Sequence, residues 1–186
     1  MFAQSIMDIK MKNSNPKTRD HYLYPKEGKH RHLLKNWRPI SLLYTAYKIA
    51  SASIASRLKL MSPKIIRSDQ KGFMKGRYIG ENIRLLYDVL LYTETEKITG
   101  LLLMVDFGKA FDSVSWSFIQ KALEFFNFGS DIRRWIKTFY NNASTCVQIN
   151  GHYSSSFNIG RAVCQGDPLS PYLYLICAEI VSTMIR

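Results

Sequence analysis

Two carboxylates six residues apart, Asp106 and Asp112 in the stretch LLLMVDFGKAFDSVSW, are the first residues able to do chemistry. Asp106 follows Leu101–Val105, a short apolar run with Gly100 before it, which predicts a buried strand. At such a strand's end the backbone ladder stops and a side chain meets solvent. A carboxylate there can hold a hard divalent cation, because Mg²⁺ takes oxygen ligands. Asp112 falls in a turn or first helical turn. Each is also a residue type that caps a strand end or a helix start, so neither Asp alone decides the matter.

Elements predicted around these acids give them a frame. Arg38-Pro39 favours extended backbone at Arg38. Leu43, Ala46, Tyr47, Ala50, Ile54, Leu58 and Met61 recur at helical spacing, which predicts a helix over 41–61 ended by Pro63. The run QKGFMKGRYIG, residues 70–80, has three glycines and reads as a loop. After it Ile79, Ile83, Leu86 and Leu90 share a helical face. A helix from about Ser115 carries Phe118, Ile119, Ala122, Leu123 and Phe126. Another opens at Ser130-Asp131 and buries Ile132, Trp135, Ile136 and Phe139. Two strand-like runs flank Asn150-Gly151, a strong hairpin signal. A last helix, capped by Asp167 or Ser170, turns Leu173, Ile176, Ile180 and Met184 inward. The mixture is α+β.

Charge divides the chain. Residues 1–90 hold 18 Lys and Arg against 6 Asp and Glu, while residues 91–186 hold 8 against 8. One strongly basic half beside a neutral one is the footprint of a polyanion partner, nucleic acid first. Tyr22, Tyr24, Trp37, Tyr44 and Tyr47 interleave with the basic residues and can stack on bases. An anionic membrane surface fits less well, because no segment sets a clean basic face against an apolar one.

Length and composition set bounds. The 186 residues suffice for one domain with a core, or for two lobes. A hydrophobic content of 46% and a charged content of 22% argue against wholesale disorder. The longest uncharged, mostly apolar stretch, Pro168 to Ala178, is too short to span a bilayer. MFAQSIMDIK has no basic region leading into an apolar one, so no secretory signal is visible. Cys146, Cys164 and Cys177 form no CxxC or zinc-like spacing, and their odd number argues against a disulfide framework. A reducing intracellular compartment is expected.

The pattern D-F-x-K-A-F-D after an apolar strand resembles motif A of reverse transcriptases, most closely those of non-LTR (LINE-type) retrotransposons. Three more segments agree, in the family's order. NWRPISLL at 36–43 resembles motif 1, QKGFMKGRYIGENI at 70–83 motif 2, and RAVCQGDPLSPYLY at 161–174 motif B. The resemblance runs from about Tyr22 to Arg186. It implies a right-hand polymerase with fingers over 22–98, an incomplete palm over 99–186, and a tail or remnant at 1–21. It also implies two-metal nucleotidyl transfer with Mg²⁺ (or Mn²⁺) and deoxynucleoside triphosphates, on an RNA template and a DNA primer. By position, Asp106 matches the first catalytic, metal-binding carboxylate, and Phe107 would offer its backbone carbonyl to the same metal. Phe111 matches the aromatic gate that clashes with a ribose 2′-OH. Gln165 and Gly166 match the pair lining the nucleotide pocket. Lys26 and Arg38 match the cations that hold the triphosphate, and Arg77 is a candidate template contact. An intracellular ribonucleoprotein, nuclear or cytoplasmic, follows from the same resemblance.

Departures limit the expectation. The family places an Asp-Asp hairpin after motif B, yet no Asp-Asp occurs in the chain. The acids after Asp112 are Glu124, Asp131, Asp167 and Glu179. A thumb, a downstream Cys/His cluster and an upstream endonuclease are missing from these residues, and Gly108 stands where the family often has a small polar residue. One firm carboxylate cannot hold two divalent ions against their mutual repulsion. The chain alone is therefore expected not to polymerise, and its palm sheet to leave an unpaired edge and exposed apolar surface. The alternative to a polymerase domain is a non-catalytic nucleic-acid-binding relic of a retroelement.

Overall fold

The computed structural model describes residues 18–28, 30, 32–149 and 152–186. A five-stranded sheet is made by both halves of the sequence. Strand β1 (Thr18–Pro25) pairs antiparallel with β2 (Trp37–Leu42), with Tyr24 opposite Arg38, and parallel with β3 (Ser144–Ile149), with Thr18 opposite Ser144. The opposite edge of β3 pairs antiparallel with β4 (His152–Tyr153) and with β5 (Phe157–Asn158). Ile149 faces His152 as a two-residue hairpin requires, although the Asn150-Gly151 turn itself lies outside the described residues. β1 opens at Thr18, inside the stretch read from sequence as a tail. The rest of that stretch, through Lys17, lies outside the described residues.

Helix α1 (Thr45–Ile65) starts later and ends later than its apolar spacing predicts. Ser41 and Leu42 belong to β2, because Arg38-Pro39 sets an extended backbone that β1 then pairs. Pro63 does not stop the helix. It sits in the last turn, where Ser62 Oγ donates to Leu58 O at 2.7 Å and Ile66 N–H donates to Ser62 O at 2.8 Å. The buried face is Tyr47, Ser51, Ala55, Leu58 and Ser62, an unbroken i, i+4 or i+3 stripe, whereas Met61 is exposed.

Helix α2 (Gly80–Thr95) forms as the pattern predicts, yet none of its residues is buried, and Ile83 and Leu90 stand exposed. A short α3 (Ala110–Ser113) precedes α4 (Trp116–Phe125), whose N-cap Ser115 accepts from Phe118 N–H at 3.2 Å. α5 (Ser130–Tyr140) and α6 (Ser170–Ile185) complete the order. Their core joins α1 to the neutral half: Tyr47, Ala55 and Leu58 pack with Ile119, Ala122 and Leu123 of α4, Ile136 and Phe139 of α5, and Leu173 and Ile176 of α6. The Tyr47 ring meets Phe139 edge-on, with centroids 5.0 Å apart. Met184, expected inward on α6, is exposed, because the helix outruns the elements that cover its first three turns.

The larger correction is at Leu101–Val105. The segment is not a buried strand: it belongs to no strand, and Leu101 is 92% exposed. A strand exists only with a neighbour to complete its hydrogen bonds, and among the described residues none pairs with this one. No helix among the described residues is long and apolar enough to cross a membrane.

Candidate nucleotide site

Backbone hydrogen bonds join the stretch after Asp106 to the stretch before Gln165. Val163 N–H donates to Phe111 O at 2.8 Å and Ala162 N–H to Val114 O at 2.9 Å, while Ser115 and Arg161 form an antiparallel bridge. Trp116 Nε1 closes the junction on Ala162 O at 2.8 Å. Two segments fifty residues apart thereby hold Phe111 against the approach to the Gln165-Gly166 turn. Asp106 and Phe107 precede the turn into α3, which Lys109 makes with a left-handed φ of +53°. Gly108 has no such φ and open space where a Cβ would stand, so the backbone does not require glycine there.

Tyr174 on α6 draws these residues together. Its ring lies 5.1 Å from that of Phe111. Burial raises its phenol above the ordinary value, and the charge of Asp106 raises it further. Phe107, Ala110, Val114, Phe118, Tyr174 and Cys177 are among the residues lining an apolar cleft of about 270 Å³. Burial pushes the Cys177 thiol up to about 12, which leaves it unreactive at neutral pH.

The turn after Gln165 is anchored from below. Gly166 takes φ +96°, a conformation natural only to glycine, and a Cβ there would stand 3.5 Å from Ser41 O of β2. The N-cap of α6 is Leu169, not Asp167 or Ser170, and Asp167, 3% exposed, has another role. Its Oδ1 accepts from Ser51 Oγ and, at 3.1 Å, from Leu169 N–H, and its Oδ2 accepts from Tyr47 OH at 3.3 Å. A buried carboxylate needs such donors, and here two come from α1, more than a hundred residues away. Sequence reasoning missed this role. The available signal was the hydroxyl pair Tyr47 and Ser51, one turn apart on an otherwise apolar face.

Lys26 and Arg38 fall on one hairpin. Lys26 follows Pro25, which pairs with Trp37, and its backbone N–H donates to Asn36 O at 2.8 Å. Its Nζ donates to Lys35 O at 3.0 Å. Arg38 is exposed and shares a face with Tyr24, its partner across the ladder. Arg38 and Ser41 both lie on β2, three residues apart, so the arginine lies about 10 Å along one strand from the carbonyl that Gly166 approaches. Arg77, the candidate template contact, is engaged by the chain itself. Its guanidinium donates to the carbonyls of Ile66 (3.0 Å), Gln70 (2.7 Å) and Arg67, tying the 70–80 loop to the end of α1.

A pair of divalent cations does not fit the acids present. Asp106 is exposed at the end of an uncovered segment. Among the described residues no group of three or more His, Cys, Asp or Glu is placed to hold a metal ion.

The α+β architecture and the junction of the two motifs suit the polymerase class that the resemblance implies. The sequence profile described as reverse transcriptase (RNA-dependent DNA polymerase) matches residues 24–186, and the chain belongs to that family. Its relatives come from non-LTR retrotransposons. It is 37% identical over 88% of its length to the transposon TX1 uncharacterized 149 kDa protein of Xenopus laevis, covering 12% of that protein. It is 29% identical over 82% of its length to the retrovirus-related Pol polyprotein from type-1 retrotransposable element R2 of Popillia japonica, covering 21%. With the corresponding type-2 R2DM polyprotein of Drosophila melanogaster the identity is 28% over 81%, covering 14%. The chain thus spans between 12% and 21% of the length of these relatives.

Proposed function

We propose that the chain is the nucleotide-selecting part of an RNA-directed DNA polymerase of the LINE type. Residues 22–98 serve as fingers and 99–186 as a partial palm. RNA template, DNA primer and deoxynucleoside triphosphates are the substrates, and Mg²⁺ (or Mn²⁺) is the ion. The observation that carries this reading is the backbone junction of residues 111–115 with 161–163, over which the family profile runs unbroken. In this reading Phe111 bounds the sugar, the Gln165-Gly166 turn bounds the base, and Lys26 and Arg38 approach the phosphates. Asp106 contributes one metal-binding carboxylate. The setting proposed is intracellular, as a ribonucleoprotein in nucleus or cytoplasm.

Primer extension on an RNA template, with Mg²⁺ and all four deoxynucleoside triphosphates, tests the catalytic half of the reading. The purified chain is expected to extend nothing. Extension that disappears in Asp106→Ala would mean that another acid, Asp112 or one from a second molecule, completes the site. Binding tests the other half. Affinity for an RNA–DNA duplex should fall with salt at a log–log slope of about −0.9 per neutralised phosphate on B-form DNA, and of similar sign and size here. A flat salt dependence would remove the nucleic-acid reading altogether.

A further inference from the structure

We infer that Phe73 is a positioning residue for ribose discrimination: with Tyr174 it clamps Phe111 between the 70–80 loop and α6. The inference rests on the reading of Phe111 as the sugar gate. The Phe111 ring has Phe73 at 6.0 Å and Tyr174 at 5.1 Å between centroids, tilted by 39° and 53°. Both pairs lie in the range of direct aromatic contact. A gate that rejects a single hydroxyl must hold its ring to within about 0.5 Å. Tyr174 stops the ring on the helix side only, and Phe73 supplies a second wall from the basic half of the chain.

Phe73 occupies an unfavourable place for a residue with no task. It is 59% exposed and has φ +59°, a left-handed backbone that bulky side chains rarely adopt. The surrounding loop enforces that conformation. Arg77 clips it to the carbonyls of Ile66, Arg67 and Gln70, Asn82 Nδ2 donates to Asp69 O at 3.0 Å, and Lys71 pairs with Glu81. Met74, the next residue, is buried in a small cluster with Ile66 and Leu175. Phe73 thus meets Phe111, which meets Tyr174, while the adjacent Met74 packs with the adjacent Leu175. Met74 docks the loop on α6, and Phe73 is left at the gate.

The test is equilibrium binding by the whole 186-residue chain, loaded with an RNA template and a dideoxy-terminated DNA primer in Mg²⁺. dCTP and CTP are compared opposite a templating G. The unmodified chain should prefer dCTP by a factor on the order of 10 to 10². Phe73→Ala should bring the ratio towards one, chiefly by tightening CTP, with dCTP affinity little changed. Phe73→Leu, which keeps an apolar wall, should retain part of the preference. Phe111→Ala sets the limit of complete loss. A Phe73→Ala chain that keeps its ratio while Phe111→Ala loses it would overturn the inference and leave the gate standing. If Phe111→Ala keeps the ratio too, or the unmodified chain retains neither nucleotide, the proposed pocket falls and the inference with it. Should Phe73→Ala lose its far-ultraviolet helical signal, Phe73→Leu decides alone: an unchanged ratio sinks the idea.

Discussion

Leu123 and Leu101 are the same residue in similarly apolar surroundings, and one is fully buried while the other is 92% exposed. Leu123 belongs to α4, one of four helices that share a core under the Gln165-Gly166 turn. Leu101 opens the segment that leads to Asp106. The contrast separates two requirements that an apolar pattern merges. A helix closes its backbone hydrogen bonds internally, so α4 and even the uncovered α2 form from local sequence. A strand closes them only on a neighbour, so Leu101–Val105, which has none among the described residues, forms no strand and stays exposed. The segment around the Gln165-Gly166 turn is therefore built and anchored, and the segment leading to Asp106 is not.

The first way to break this comparison is to truncate both leucines. Leu123→Ala should lower unfolding stability by about 3 kcal/mol, the transfer free energy of the side chain plus the cavity left behind. Leu101→Ser should leave stability within about 0.5 kcal/mol and reduce self-association, because it removes exposed apolar surface. Urea unfolding measures the first, and sedimentation measures the second. Equal losses for the two would mean that Leu101 is covered in solution.

Next comes the anchor. Asp167→Ala should cost about 3 kcal/mol, since Ser51 Oγ, Tyr47 OH and Leu169 N–H lose an acceptor in a buried site. Asp167→Asn keeps an oxygen acceptor and should cost less. If alanine and asparagine cost the same, the hydroxyls have other acceptors and the turn is held by packing alone.

A third prediction sharpens the border between the two regions. Arg77→Ala removes three bonds from a charged donor to carbonyls. It should cost about 2 kcal/mol, concentrated in the 70–80 loop. Protease cleavage within that loop should accelerate while α4 to α6 stay protected. Arg77→Lys should not rescue it, because an ammonium cannot reproduce the guanidinium fork. Uniform deprotection across the chain would instead make Arg77 part of the main core.

What the sequence made legible follows the same physics. α4, α5 and the strands around Asn150-Gly151 were readable because caps, turn residues and periodicity are local signals. The Phe111 to Gln165 region was readable because four motifs stand in order. The start of α1 was misplaced: Ser41 and Leu43 satisfy a helical and an extended reading alike, and the pairing of β2 with β1 decides. Asp167 looked like a cap because its donors lie on a helix far off in the chain, which no local pattern encodes. The loop-tying role of Arg77, a candidate template contact by motif, was hidden for the same reason, its acceptors being carbonyls. For Leu101–Val105 the apolar signal was real, but burial depends on a partner strand that the segment does not contain.

The smallest effect concerns the end of α6. Arg186 pairs with Asp69, just past α1, and reaches Glu179 Oε1 at 3.5 Å, while the buried Glu179 also accepts from Arg67 N–H at 3.4 Å. Burial raises the Asp69 carboxyl, but the hydrogen bond and charge of Arg186, with backbone hydrogen bonds from Asp69 and Gln70, together outweigh it, so its pKa is lowered on balance. A carboxylate lowered in the folded state stabilises the fold above its unfolded value, near 3.9, and loses that contribution as pH falls through the lowered value. Asp69 is largely exposed, so solvent screening holds the contribution below about 1 kcal/mol. Asp69→Asn should therefore differ from the unmodified chain by less than about 1 kcal/mol at pH 7, and by less still in 1 M salt. The difference should vanish at a pH where both folded and unfolded Asp69 are protonated. A larger difference at pH 7 that survives 1 M salt would mean that this pair is shielded from solvent, and that the end of α6 belongs with the anchored region after all.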